Sequence, residues 1–226
     1  MKSISFLLFL TCLIPQAGAK SFVYPDIRSS ARVVEDFIPD GWSVLDSVSG
    51  DLNMDGLTDK ALVIEFDDSV KETRPNGITN LDQPRILLVL TRTASGKYTL
   101  AVQDNSFLFR TGECGLQHGD PFEKLDIDDD VLRIRFLRNR GQISYEFQLE
   151  EDELLLTGAS NSTVSAAGSI EEWDFDFVSK RAVHTLGTID EKDFYEVYSD
   201  INVSELKTLD ELKMPLLWEV FNHVFI

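Results

Sequence analysis

Apolar and polar residues alternate along much of the chain, and the period is mostly two. Leu132, Ile134 and Phe136 alternate with Arg133 and Arg135, and Ile143, Tyr145, Phe147 and Leu149 alternate with Glu146 and Gln148. Period two sends successive side chains to opposite faces of a strand. The two runs therefore predict a hairpin turning at Asn139-Arg140, with Ile134 opposite Tyr145 on the apolar face and Arg133 opposite Glu146 on the polar one. Residues 42–48 alternate in the same way. Ala61-Leu62-Val63-Ile64 is wholly apolar and reads as a buried strand. Residues 85–91 and 97–102 flank Ala94-Ser95-Gly96 as another hairpin. Its first strand is apolar on both faces from Ile86 to Leu90, which suits a central position.

Residues 154–157 predict a further strand and 160–169 a polar loop of small residues. Trp173, Phe175 and Phe177 alternate with Asp174 and Asp176. Two readings fit that pattern: a strand burying its aromatic face, or a flat platform for sugar rings. Residues 67–84 are polar around Pro75-Asn76-Gly77 and read as a long surface loop. Asp128-Asp129-Asp130 stands where a hairpin turn is needed. Helical spacing occurs only near the ends. Val33, Val34, Phe37 and Ile38 share one face after a Ser29 or Ser30 cap, and Leu217, Val220, Phe221 and Val224 share one after Pro215. The expected fold is mainly β, with antiparallel sheets in a sandwich or partial propeller-like arrangement and short N- and C-terminal helices.

The first nineteen residues stand apart from this pattern. Lys2, an apolar stretch from Ile4 to Ile14 and Ala17-Gly18-Ala19 have the layout of a cleaved signal peptide, too short to span a membrane. We expect a single domain over 20–226, secreted or periplasmic. The formal charge is −18. Without Lys2, twenty basic side chains face thirty-nine acidic ones, which excludes a nucleic-acid binder and disfavours anionic lipid. An acidic surface suits a protein that meets cations. Cys114 is the one cysteine left after cleavage, so it is either a buried structural thiol or a free reactive one. Cys114 and His118 offer too few ligands for a structural zinc.

The candidate chemistry lies in 51–59. Asp51, Asn53 and Asp55 occupy loop positions one, three and five, Gly56 position six and Asp59 position nine. That spacing wraps a short loop around Ca²⁺, a hard cation that takes six to eight oxygens. The expected ligands are the side chains of Asp51, Asn53, Asp55 and Asp59 and the carbonyl of Leu57. Position twelve, where an EF-hand has a bidentate Glu, is Leu62. It lies inside a strand, so the loop is strand–loop–strand and binding should be weak, on the order of 10⁻⁴–10⁻³ M. The competing reading is an Asx-rich turn that needs no metal.

Residues 50–59 followed by an apolar strand resemble the calcium loop of FG-GAP/VCBS-type repeats. The segments Asp36-Phe37-Ile38-Pro39-Asp40-Gly41-Trp42 and Gly119-Asp120-Pro121-Phe122 look like parts of secreted bacterial proteins carrying one such loop. The resemblance implies a calcium-stabilised β structure and no firm activity. A propeller repeats its motif, whereas this chain has one clear copy.

No Gly-x-Ser-x-Gly elbow, Walker loop, dinucleotide fingerprint or His-Glu-x-x-His occurs. The sequence therefore points to a non-catalytic binding or adhesion-type module with a structural calcium, meeting a protein or glycan in the envelope or outside the cell. The alternative is a calcium-dependent hydrolase of cell-envelope polymer, which requires a carboxylate-lined pocket beside the loop.

Overall fold

The computed structural model describes residues 22–113, 119–190 and 194–226. The strands in chain order are β1 (Ser30–Ala31), β2 (Trp42–Gly50), β3 (Asp59–Phe66), β4 (Val70–Thr73), β5 (Thr79–Asp82), β6 (Arg85–Arg92), β7 (Tyr98–Asp104) and β8 (Phe122–Asp128). They continue with β9 (Val131–Arg138), β10 (Gly141–Glu150), β11 (Glu153–Val164), β12 (Ser169–Asp176), β13 (Arg181–Thr188), β14 (Tyr195–Asp200), β15 (Glu219–Phe221) and β16 (Val224–Phe225). One five-stranded sheet has the order β1-β7-β6-β3-β2, and a seven-stranded meander runs from β8 to β14 in sequence order. Every pairing is antiparallel, and no sheet among the described residues closes into a barrel.

The sheets share one core, in the manner of a β-sandwich. Ala61, Val63, Leu87 and Val89 of the smaller sheet meet Leu132, Ile134, Phe136, Tyr145 and Phe147 of the larger. Leu62, Ile64, Ile86, Leu88 and Leu90 point the other way, into a second cluster closed by Ile27, Phe37 and Trp42. Both faces of β3 and β6 are thus buried, which explains their unbroken apolar runs. The β9–β10 hairpin has the register its alternation predicts, Ile134 against Tyr145 and Arg133 against Glu146. Asp129 takes the left-handed turn position between β8 and β9.

Four segments depart from the sequence expectation. The N-terminal helix shrinks to a 3₁₀ turn, Val34–Phe37, because Ser30 and Ala31 are drawn into β1 beside β7. The C-terminal helix is Leu209–Leu212, closed by a reciprocal Thr208–Glu211 capping box. Residues 219–225 instead form the β15–β16 hairpin around Asn222-His223, His223 having φ +64°. Val220, Phe221 and Val224 suit a strand as well as a helix, and the hairpin lays Phe221 5.5 Å from Trp173. Polar Ser160–Thr163 continues β11 because the outer face of the larger sheet is open to water. Residues 67–84 contain the β4–β5 hairpin, turning at Gly77 with φ +79°.

Phe107, Leu108 and Phe109 are inserted into the main core from an irregular segment. Asp104 fixes its entry: Oδ1 accepts the Ser106 and Phe107 N–H groups at 3.0 and 2.6 Å, and Oδ2 the Ser106 hydroxyl at 3.2 Å. Burial pushes this carboxyl above the ordinary range despite those bonds. The folded state therefore holds the proton more tightly than the unfolded chain. The group's contribution is full below the unfolded pKa and is lost as pH rises through the folded one. Asn keeps the Oδ1 acceptor and can donate to Ser106. We expect Asp104→Asn to melt above wild type at neutral pH, with the difference vanishing as pH falls into the carboxylate range; thermal unfolding at a series of pH values checks this.

Candidate functional site

The loop joins two paired strands, since Gly50 of β2 faces Asp59 of β3. Its base is tucked against the larger sheet: a Cβ at Gly50 would lie 2.3 Å from Ile127 Cγ2, so only glycine fits. Met54 and Gly56 are left-handed, with φ +57° and +81°. A Cβ at Gly56 would meet nothing within 4 Å, so the glycine is needed for its conformation and not for space.

Backbone N–H groups gather on the acidic side chains. Asp51 accepts from Asp55 through Oδ1 at 3.0 Å and from Gly56 through Oδ2 at 2.8 Å. Asn53 Oδ1 accepts from the Asp55 N–H at 3.2 Å, and Asp55 Oδ1 from the Leu57 N–H at 2.8 Å. Asn53 Nδ2 donates to Asp55 Oδ2 at 3.3 Å. Asp51, Asn53 and Asp55 thus lie together on the solvent side of the loop.

Asp59 lies beneath and has a different task. It is fully buried, its Oδ2 accepting from Leu52 N–H at 3.0 Å and its Oδ1 from Arg92 N–H at 2.7 Å. It thereby ties the loop to β6. Burial raises its carboxyl pKa, the two N–H groups hold it down, and the charge of Asp55 adds to the rise. Among the described residues, no three His, Cys, Asp or Glu side chains gather into a group able to hold a metal ion. The loop acids meet amide protons instead. In kind, three carboxylates, a side-chain amide and a backbone carbonyl are the donors a hard divalent cation takes.

The other candidates resolve differently. Cys114, His118 and the signal-peptide segment lie outside the described residues. Phe175 and Phe177 are buried and Trp173 is partly so, beneath the C-terminal hairpin and stacked 3.9 Å from His184. The aromatic row is core and not an open platform. The arginines of β9 are paired: Arg133 with Glu146 at 2.7 Å, Arg135 with Asp126 at 3.5 Å and Arg138 with Asn161 at 2.6 Å.

Three buried arginines gave no sequence signal. Arg74 bonds Glu113 at 2.8 Å and the carbonyls of Ser106 and Leu108. Arg85 bonds Glu65, Asp120 and the Phe109 carbonyl. Arg110 meets Glu72 and Tyr24. Together they pin the irregular 105–113 segment, the β4–β5 hairpin and the N-terminal stretch to the sheets.

A concavity lies elsewhere, on the outer face of β10–β14, with a volume of about 550 Å³. Among the described residues, no helix is long and apolar enough to cross a membrane. Comparison of the chain with protein-family models, with curated proteins and with solved structures finds no match to any.

Proposed function

We propose that the chain is a non-catalytic binding module, exported to the periplasm or beyond, in which Ca²⁺ at the 51–59 loop serves as a structural brace. The observation that carries this reading is the curl of the loop around the Asp51 carboxylate, which receives two successive N–H groups while Gly56 makes the left-handed turn. Such a loop presents its short oxygen side chains from alternate positions. Asp51, Asn53 and Asp55 would hold the ion with the Leu57 carbonyl, while Asp59, expected from spacing as a further ligand, has both oxygens engaged by N–H groups and would brace the loop from beneath. The ion would neutralise carboxylates that otherwise repel one another and fix β2 to β3. The likeness to FG-GAP/VCBS-type loops belongs to the same proposal.

A calcium-dependent hydrolase of envelope polymer needs a carboxylate-lined pocket beside the loop. The groove that holds Glu146, Asp174 and Asp176 spans β10–β14, whereas the loop abuts Ile127 of β8, so binding is the preferred reading. Calorimetric titration of residues 20–226 with CaCl₂ tests the site. One saturable site is expected, with Kd on the order of 10⁻⁴–10⁻³ M, abolished in Asp55→Ala; equal affinity in that variant would remove the assignment.

A further inference from the structure

The groove on the outer face of the larger sheet has a straight floor. Ser144 of β10, Ser160 of β11, Asp174 of β12, Val183 of β13 and Tyr198 of β14 are successive cross-strand partners, so all five side chains share one face. The floor is low because its central residues are small. A Cβ at Gly158 would lie 2.8 Å from Glu146 Oε2 and 3.3 Å from the Phe175 carbonyl oxygen, so a larger residue here would displace the Glu146 carboxylate and crowd the strand. A register shift between Glu146 and Phe147 adds a bulge, which increases the local twist. Longer side chains, Glu146, Arg181 and Tyr198, form the walls.

The groove's polar groups divide into engaged and open ones. Glu146 is held by Arg133, and Asp176 by the N–H and hydroxyl of Ser179 at 2.8 and 2.6 Å. The Ser144 and Ser160 hydroxyls bond each other at 2.8 Å. The side chains of Asp174 and Arg181 have no hydrogen bond or ion pair with any described residue. Burial by the groove, with Glu146 nearby, raises the Asp174 carboxyl. Tyr198 donates its hydroxyl to Glu196 and is itself 69% exposed.

These groups select a ligand chemistry. An open acceptor, an open guanidinium donor and a hydroxyl pair able to do both match a molecule whose groups each donate and accept. The exposed ring offers a flat apolar face for C–H bonds. Charges of both signs stand in and beside the groove, Glu146, Glu172, Asp174, Asp176 and Glu196 with Arg133 and Arg181. A polyanion would meet the carboxylates and a polycation the guanidiniums. The volume lies within the roughly 300–1,000 Å³ of small-ligand sites, too little for a folded partner. We propose that this groove binds a neutral oligosaccharide, with Asp174 accepting from sugar hydroxyls, Arg181 donating to them and Tyr198 packing on a ring face. The proposal rests on the chain being a binding module but is independent of the calcium loop.

The test is a printed array of neutral oligosaccharides, with heparin and polylysine as polyanion and polycation, probed with residues 20–226 in CaCl₂ and in EDTA. A neutral glycan should be retained under both conditions. In solution its affinity should fall about tenfold in Asp174→Asn and again in Tyr198→Ala, with no fall in Tm in either variant, so the loss of affinity is not a loss of fold. Retention of heparin or polylysine only, or unchanged affinity in both variants, overturns the groove. Loss of binding in EDTA with the groove variants unaffected places recognition at the loop and also overturns it. Cleavage of the retained glycan would sink the non-catalytic reading and leave the groove assignment standing.

Discussion

Arg85→Met should lower the unfolding free energy by about 3–5 kcal/mol. At about 2–4 °C per kcal/mol for a chain of this size, Tm should fall by about 6–20 °C. Arg85 is 1% exposed. Its guanidinium reaches Glu65 through Nε at 2.6 Å, the Phe109 carbonyl through Nη1 at 2.7 Å, and both oxygens of Asp120. The two carboxylates hold its pKa above the usual value against the opposing effect of burial. Met fills the volume but strands the Phe109 carbonyl where water cannot replace the lost partner, and leaves the partly exposed carboxylates of Glu65 and Asp120 without their counter-charge. Lys keeps the charge, but its three N–H groups diverge from a single nitrogen and cannot reproduce the planar fork that reaches four acceptor oxygens. Arg85→Lys should therefore recover less than half of the loss, and thermal melts of the three proteins decide the point.

The second large effect is Phe107→Ala, expected to cost about 3–5 kcal/mol. Phe107 is fully buried and meets Tyr145, Phe147 and Phe136 edge-on at 5.0, 5.6 and 6.2 Å. It comes from no strand and packs between the sheets, so its removal leaves a cavity lined by rigid rings that cannot collapse into it. Phe107→Leu, which refills much of that space, should recover most of the stability. If Ala and Leu melted at the same temperature, the segment would not be the core plug described above.

Legibility in the sequence followed the strength of local pattern. The β9–β10 register could be read residue by residue, because a one-residue slip would turn Ile134 and Tyr145 to water. The central place of β6 could be read from Ile86 to Leu90, apolar on both faces. The C-terminal hairpin was illegible because Val220, Phe221 and Val224 satisfy helical and strand spacing alike. Packing of Phe221 on Trp173, a contact between segments almost fifty positions apart, decides between them. The same distance in sequence hid the arginines: nothing near Arg85 announces Asp120, and nothing near Arg110 announces Tyr24. At the candidate site the alternate spacing of Asp51, Asn53 and Asp55 is that of an Asx-rich loop with or without an ion, and all three lie on its solvent side. It gave no sign that Asp59 would turn inward to brace Leu52 and Arg92, since a carboxylate at position nine serves an ion or an amide equally well. The groove escaped because its residues come from five strands and none is unusual alone.

The central claim is that the 51–59 loop takes calcium and that the fold gains by it. Thermal unfolding of residues 20–226 in excess EDTA and across a calcium series tests this most directly. Saturation to about one hundred times Kd should add about 2.7 kcal/mol, or about 5–11 °C, rising to a plateau and absent in Asp55→Ala. Identical melting in EDTA and in millimolar calcium would contradict the account and leave the loop as an Asx-rich turn braced by Asp59.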